Sequence, residues 1–160
     1  MDLRDQANEL LATAADILKL EKLELNERNE CIVTFDDRIV TLFTLDSDSL
    51  NGLVVTLVLG GLTAGAGKEE LMYELLAGNY AWNLTEGGVI GVDRATGVIS
   101  LCYLIELPMN HPEQFPNICA KLLNVADFWM RKINEFGGVT GDAGAATPLA
   151  GTDLSSALRV

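Results

Sequence analysis

Gly60 to Lys68 reads GGLTAGAGK, the segment of this chain nearest to a chemical motif. A phosphate-binding loop needs Gly, four residues, Gly, Lys and then Ser or Thr, so that backbone N–H groups surround a phosphate and the hydroxyl holds magnesium. Here five residues separate Gly61 from Gly67, and Glu69 stands in place of the hydroxyl residue. A carboxylate there repels phosphate, so the segment is predicted as a loop leading from a strand into a short helix, with no nucleotide. Asp36-Asp37 and Asp46-x-Asp48 could suggest a cation, but an EF-hand loop needs further acidic positions and a terminal Glu at fixed spacing. They read as solvated turn residues, and no metal is expected. His111 is the single histidine, and no Cys, His or Ser stands beside it to form a nucleophile–base pair. Paired carboxylates drawn from Glu86, Asp93, Glu106 and Glu113 would be the alternative chemistry, and nothing beyond acidity marks them. Cys31, Cys102 and Cys119 lack C-x-x-C spacing and read as reduced, buried small hydrophobes. No catalytic residue and no cofactor is expected.

The elements around these residues follow from hydrophobic period. Asp2 to Leu20 is predicted as a helix, with Leu3, Ala7, Leu10, Ala14 and Ile17 on one stripe. A charged connector, Glu21 to Glu30, leads to three strands: Cys31 to Phe35, Arg38 to Leu45, and Leu53 to Leu59. The last is almost wholly apolar and is predicted to lie centrally in the sheet. A short helix carrying Leu71, Met72, Leu75 and Leu76 is predicted to close at Gly78 in the left-handed conformation. Gly87-Gly88 then releases a strand, Val89 to Asp93, and the turn Arg94-Ala95-Thr96-Gly97 returns the chain as Val98 to Ile105. Asn110, with Pro112 and Glu113, can open the final helix, although Pro116 would disturb a turn already begun. That helix carries Phe115, Ile118, Leu122, Ala126, Trp129, Ile133 and Phe136 on one face and stops at Gly137-Gly138. The order predicts an α+β fold, an antiparallel sheet packed with three helices. Residues 1–136 form the domain, and residues 137–160 read as a flexible tail rich in Gly, Ala and Thr. Its Leu154, Ala157 and Leu158 could make one helical turn in a groove.

Composition narrows the partners. The chain has 160 residues, 11 Lys and Arg against 23 Asp and Glu, and a net charge of −12. Scattered basic residues in such excess of acid exclude a general grip on nucleic acid or an anionic membrane surface. Mean hydropathy is +0.23, which leaves apolar surface to bury in a partner or a second copy. The first residues lack the basic-then-apolar pattern of a signal peptide, and no apolar run reaches the ~20 residues that span a bilayer. The sequon Asn83-Leu84-Thr85 is therefore without meaning.

Taken in order, Leu75-Leu76-Ala77-Gly78-Asn79-Tyr80, Gly87-Gly88, Gly91-Val92-Asp93 and Gly97 resemble the middle of the class I type III secretion chaperones, the CesT/Tir-chaperone family. Ala126-Asp127-Phe128-Trp129 is similar to that family's last helix. The resemblance covers residues 1 to about 136, and the glycine loop and long tail depart from it. It implies a homodimer without enzymatic activity, in the bacterial cytoplasm, that binds the N-terminal region of a secreted effector and keeps it soluble and extended. It also implies a dimer interface at Leu71, Leu75, Leu76, Trp82, Val89 and Ile90. Effector segments would lie on apolar surface at Leu3, Leu10, Ile17, Ile32, Phe35, Val40 and Leu42, and can add a strand to a sheet edge. A regulatory member of the family, sequestering a protein that controls secretion genes, would use the same grooves. A small α+β enzyme is the weaker alternative and would need a deep polar pocket.

Overall fold

A computed structural model describes residues 2–65 and 67–140 of the chain. Asp2 caps α1 (Leu3–Leu18), its carboxylate accepting from Asp5 N at 2.8 Å. The helix ends two residues earlier than its apolar pattern suggests, because Lys19 turns left-handed (φ 55°). The connector that follows is latched to α1: Arg4 donates to Leu25 O and Asn26 O at 2.8 and 2.9 Å, and Asn8 Oδ1 accepts from Leu25 N at 2.9 Å. These bonds hold Leu23 and Leu25 inward, where both are buried.

Three strands follow: β1 (Glu30–Phe35), β2 (Ile39–Asp46) and β3 (Gly52–Gly61). Helix α2 (Lys68–Gly78) and a 3-10 turn at Tyr80–Trp82 lead into β4 (Val89–Val92) and β5 (Val98–Glu106). A second 3-10 turn, Pro112–Gln114, precedes α3 (Phe115–Glu135). The sheet is antiparallel throughout, in the order β1-β2-β3-β5-β4, so the α+β architecture expected from the sequence is the one found. The start of α3 differs from expectation. Asn110 does not cap it; the chain first makes the tight Pro112–Gln114 turn, and Pro116 then sits in the first turn of α3, where no amide donor is needed.

Pairing registers sort the side chains of the sheet into two faces. Leu53, Val55, Leu57 and Leu59 of β3 face the helices, beside Phe43 of β2 and Ile99, Leu101 and Ile105 of β5. Phe115, Leu122, Ala126, Trp129 and Ile133 of α3 lie across this row, all buried. The large aliphatic and Phe side chains among them each contribute about 1.5–3 kcal/mol on burial, so this seam is the main source of stability. The opposite face carries Ile32, Leu42, Val54, Val58 and Leu104 among Thr44, Thr56, Ser100 and Cys102. Leu42 and Val58 are buried there without joining the core beneath the helices.

Past α3 the chain stays docked. Gly61 N donates to Val139 O at 2.7 Å and Val139 N to Gly61 O at 3.1 Å. Gly60 lies where a Cβ would strike Val139 O, at φ 152°, and the β3–β5 register slips beside it. The chain is thus bonded to β3 as far as Val139, three residues past Phe136, and residues 141–160 of the expected tail, with Leu154, Ala157 and Leu158, lie outside the described residues.

Thr41 and Thr85 are buried threonines whose hydroxyls have no partner among the described residues, and Thr41 is the one in the sheet. Its side chain is 1% exposed and its Oγ1 has no hydrogen-bond partner. It borders a void of about 10 Å³ lined by Phe35, Phe43, Val55, Leu57, Cys119 and Leu122. A buried hydroxyl without a partner costs about 1–3 kcal/mol. Thr41→Val keeps the shape and removes the hydroxyl, so it is expected to raise the urea midpoint, with a gain of about 1 kcal/mol. Burial pushes the thiol of Cys119, which lines the same void, up to about 12, and burial elsewhere raises those of Cys31 and Cys102 above their usual value.

Candidate functional site

Helix α2 is built with two apolar sides. Leu71 and Leu75, one turn apart, point into the core, and Gly78 continues that face. Met72, Tyr73 and Leu76 point outward, Leu76 at 71% exposure. A surface helix normally carries polar residues there. After it, Tyr80, Trp82 (60% exposed) and Leu84 are also open to solvent, as are Val89 (53%), on the sheet face of Cys102, and Val92, on the face of Ile99.

Four long-range contacts hold this surface in place. Gly78 lies against the indole of Trp129, and a Cβ at that position would run into the ring. This corrects the left-handed cap expected at Gly78: the helix continues through it with Asn79 at φ −75°, and glycine is required there by the tryptophan. Trp129 Nε1 donates to Leu84 O at 2.8 Å, and Lys132 pairs with Glu74 at 3.0 Å. The Asn79 carboxamide bonds both main-chain groups of Ile90, donating to its O at 2.9 Å and accepting from its N at 2.8 Å. Between these anchors Ala81, Trp82 and Glu86 take left-handed backbone conformations (φ 54°, 55° and 51°). Such conformations cost non-glycine residues roughly 1–2 kcal/mol each. They are held while the loop presents Trp82 outward, which marks the segment as a place to look for function.

The proposed interface residues divide accordingly. Leu76, Trp82 and Val89 are open to solvent, the first two on α2 and the loop after it and Val89 on the open sheet face, whereas Leu71, Leu75 and Ile90 are buried in the protomer's own core. Met72, Tyr73, Tyr80 and Leu84 are open to solvent on the same segment and were missed. Their signal was Met72 and Tyr73 standing between Glu70 and Glu74 on what should be the polar side of a helix.

The proposed client residues divide in the same way. Ile17 (60%) and Ile32 (53%) are exposed, and Leu3 and Val40 are half-buried. Leu10, Phe35 and Leu42 are buried. Leu10 and Phe35 belong to the helix–sheet core, because their spacing puts them on the inner side of their elements. Ile32 pairs with Leu42 on the open sheet face, while Ile17 lies in the helix layer. The two surfaces are on opposite sides of the sheet, and β1, an edge strand, forms the rim between them. A groove of about 340 Å³ also runs between α1 and the segment after β5, lined by Gln6, Leu10, Thr13, Leu107, Met109 and Pro112.

The acidic residues fall into structural places. Asp93 Oδ1 accepts from Ala95 N at 2.9 Å and Oδ2 from Thr96 Oγ1 at 2.6 Å, closing the β4–β5 hairpin with Gly97 at φ 74°. The Thr96 hydroxyl and the turn amides hold the Asp93 carboxyl below its usual range. Asp46 is lowered in the same way by the amides of Ser49, Leu50 and Asp48, and Glu24 by Lys22. Asp127 bridges Arg38 of the β1–β2 hairpin and Arg131 one turn along α3, the latter at 3.2 Å. Among the described residues no group of His, Cys, Asp and Glu has the arrangement of a metal site, and no helix is long and apolar enough to cross a membrane.

The Tir chaperone protein (CesT) family matches residues 9–130, from the first helix to the last. The chain belongs to that family. Among solved structures, this CesT-family protein is similar to a chain of the ExsC–ExsE complex, with 28% identity, a TM-score of 0.67, and coverage of 82% of this chain and 96% of that one. The HopA1–SchA chaperone–effector complex contributes a chain with 19% identity and TM-score 0.61, over 84% and 98% of the two chains. The Yersinia pestis type III secretion chaperone SycH, in complex with a stable fragment of YscM2, contributes one with 22% identity and TM-score 0.58, over 76% and 98%. At those lower identities the likeness shows the fold. No curated protein matches the sequence.

Proposed function

We propose that this protein is a non-catalytic type III secretion chaperone. It acts as a homodimer in the bacterial cytoplasm and binds the N-terminal region of a secreted protein, keeping that region soluble and extended. The family match over residues 9–130 carries the reading. The geometry agrees with it. The displaced carboxyls sit in turns and a surface ion pair, and the conspicuous surfaces are apolar and shallow. The Met72, Leu76 and Trp82 surface, with Val89 at the β4 edge of the sheet, is the self-interface, and Ile17, Ile32 and the β1 side of the open sheet face receive the client. A disordered client loses entropy on ordering, so its site must be broad and apolar. Main-chain bonds at a strand edge supply affinity that tolerates sequence, and neighbouring apolar positions select side chains. The net charge of −12 keeps such a surface soluble.

The test is isolation of the tagged full chain from its native host, with light scattering on the eluted complex. A dimer carrying one protein through that protein's N-terminal region is the expected result. Identification of the bound protein separates an effector from a regulator of secretion genes, since both would occupy the same surface. A monomer that retains no protein overturns the reading.

A further inference from the structure

The sheet ends in two edges, β1 and β4, and an asparagine side chain occupies part of each. On β4 the hairpin bond from Asp93 N to Val98 O (2.8 Å) places Asp93 toward β5. By alternation Gly88, Ile90 and Val92 turn their main-chain groups outward. The Gly88 amide already donates to Thr85 O at 2.9 Å. Both groups of Ile90 are taken by Asn79, at 2.8 and 2.9 Å, in the pattern a paired strand would make. Of these three outward amides, that of Val92, next to the hairpin turn, is the one without a partner among the described residues.

On β1, Phe35 O accepts from Arg38 N at 3.0 Å, so Phe35 faces β2, and Glu30, Ile32 and Thr34 turn outward. Asn26 closes only the first of these, with Asn26 N donating to Glu30 O at 2.8 Å and Asn26 Oδ1 accepting from Glu30 N at 3.1 Å. On the side away from β2, no described segment pairs with Ile32 or Thr34.

We infer that Asn79 is a gatekeeper: its carboxamide stands in for a strand on β4, so that an extended segment of another chain is directed to β1 at Ile32 and Thr34. The inference rests on the strand-adding client proposed above and specifies where that client enters. An open strand edge invites pairing with any extended chain, and closing one edge leaves a single register-limited entrance. Asn79 also ties the end of α2 to β4, so the surface holding Leu76 and Val89 is kept for self-association. Asparagine suits the task because one planar amide offers a donor and an acceptor, matching the N–H and C=O of one strand residue.

The test reads amide hydrogen exchange and sedimentation velocity on the full-length protein alone. Wild type, Asn79→Ala and Asn79→Asp are compared, each also with Leu76→Asp so that self-association does not mask the edge. In wild type the Ile90 amide is expected to exchange slowly and the Ile32 and Thr34 amides fast. Asn79→Ala should speed exchange at Ile90 about tenfold, the loss of one hydrogen bond, and should yield species heavier than the wild-type assembly. Asn79→Asp keeps an acceptor for the Ile90 amide and should restore its protection, which a mere helix-end role would not do. Unchanged exchange at Ile90 in Asn79→Ala overturns the inference. Released exchange without heavier species also overturns it, since the bond would then guard nothing. These readings need no client, so absence of a bound effector would count against the proposed function and not against the clasp.

Discussion

Replacing Trp129 with alanine is expected to cost about 3–5 kcal/mol, much of the stability of a domain this size. The side chain is fully buried on α3, donates to Leu84 O at 2.8 Å and meets Phe128 edge-on at 5.4 Å between ring centroids. Its removal leaves a large cavity and an unpaired carbonyl in the loop that carries Trp82. Gly78→Ala should be harmful for the opposite reason, because its methyl enters the space of the indole; overpacking of this kind costs about 1–3 kcal/mol. The two substitutions are expected to be non-additive. Once the indole is gone the methyl has room, so Gly78→Ala should be close to neutral in the Trp129→Ala background. Urea denaturation of the four proteins of this cycle measures the coupling. Additive losses would mean that the Gly78–Trp129 contact is not what excludes a side chain at position 78.

Leu76→Asp has the other large effect, on association. Leu76 sits in the middle of the outward face of α2 and is 71% exposed in the protomer, so the substitution leaves the fold intact. In a dimer closed through this face it would bury a carboxylate without a partner, at a cost of several kcal/mol. Loss of a central interface anchor alone is worth about 2 kcal/mol or more. Dimer affinity should therefore fall on the order of 100-fold or more, since each 1.4 kcal/mol is tenfold. Sedimentation equilibrium reads this directly, with circular dichroism as the check that the protomer is intact. A variant that dimerises as tightly as wild type would place the self-interface elsewhere. The open sheet face around Ile32 and Leu104 would then be the next surface to change.

Much of this architecture could be read from local pattern. The apolar stripes of α1 and α3 repeat at helical period, the strands are runs of β-branched residues, and the Asp93 to Gly97 turn announces itself by composition. Period and turn chemistry depend on neighbouring residues, so the element order and the antiparallel sheet follow from them. The Gly-x-Asp motif was legible as a hairpin for the same reason: the Asp93 carboxylate bonds residues two and three positions further on.

The use of each side chain was less accessible. A stripe shows that a helix is amphipathic, but in α2 apolar residues occupy both sides, and only the docking of the helix on the core, with Gly78 against Trp129, turns Leu71 and Leu75 inward and leaves Leu76 outside. The same ambiguity placed Leu10 and Phe35 among surface positions when they belong to the core. Gly78 looked like a helix stop because glycine often is one; its actual constraint comes from a tryptophan on another helix. Asn79 looked like part of a motif without chemistry, and its two bonds to Ile90 depend on the edge position of β4. Local preference is encoded over a few residues, whereas burial, edge pairing and steric exclusion arise when distant segments meet, and this protein's surfaces are defined by those meetings.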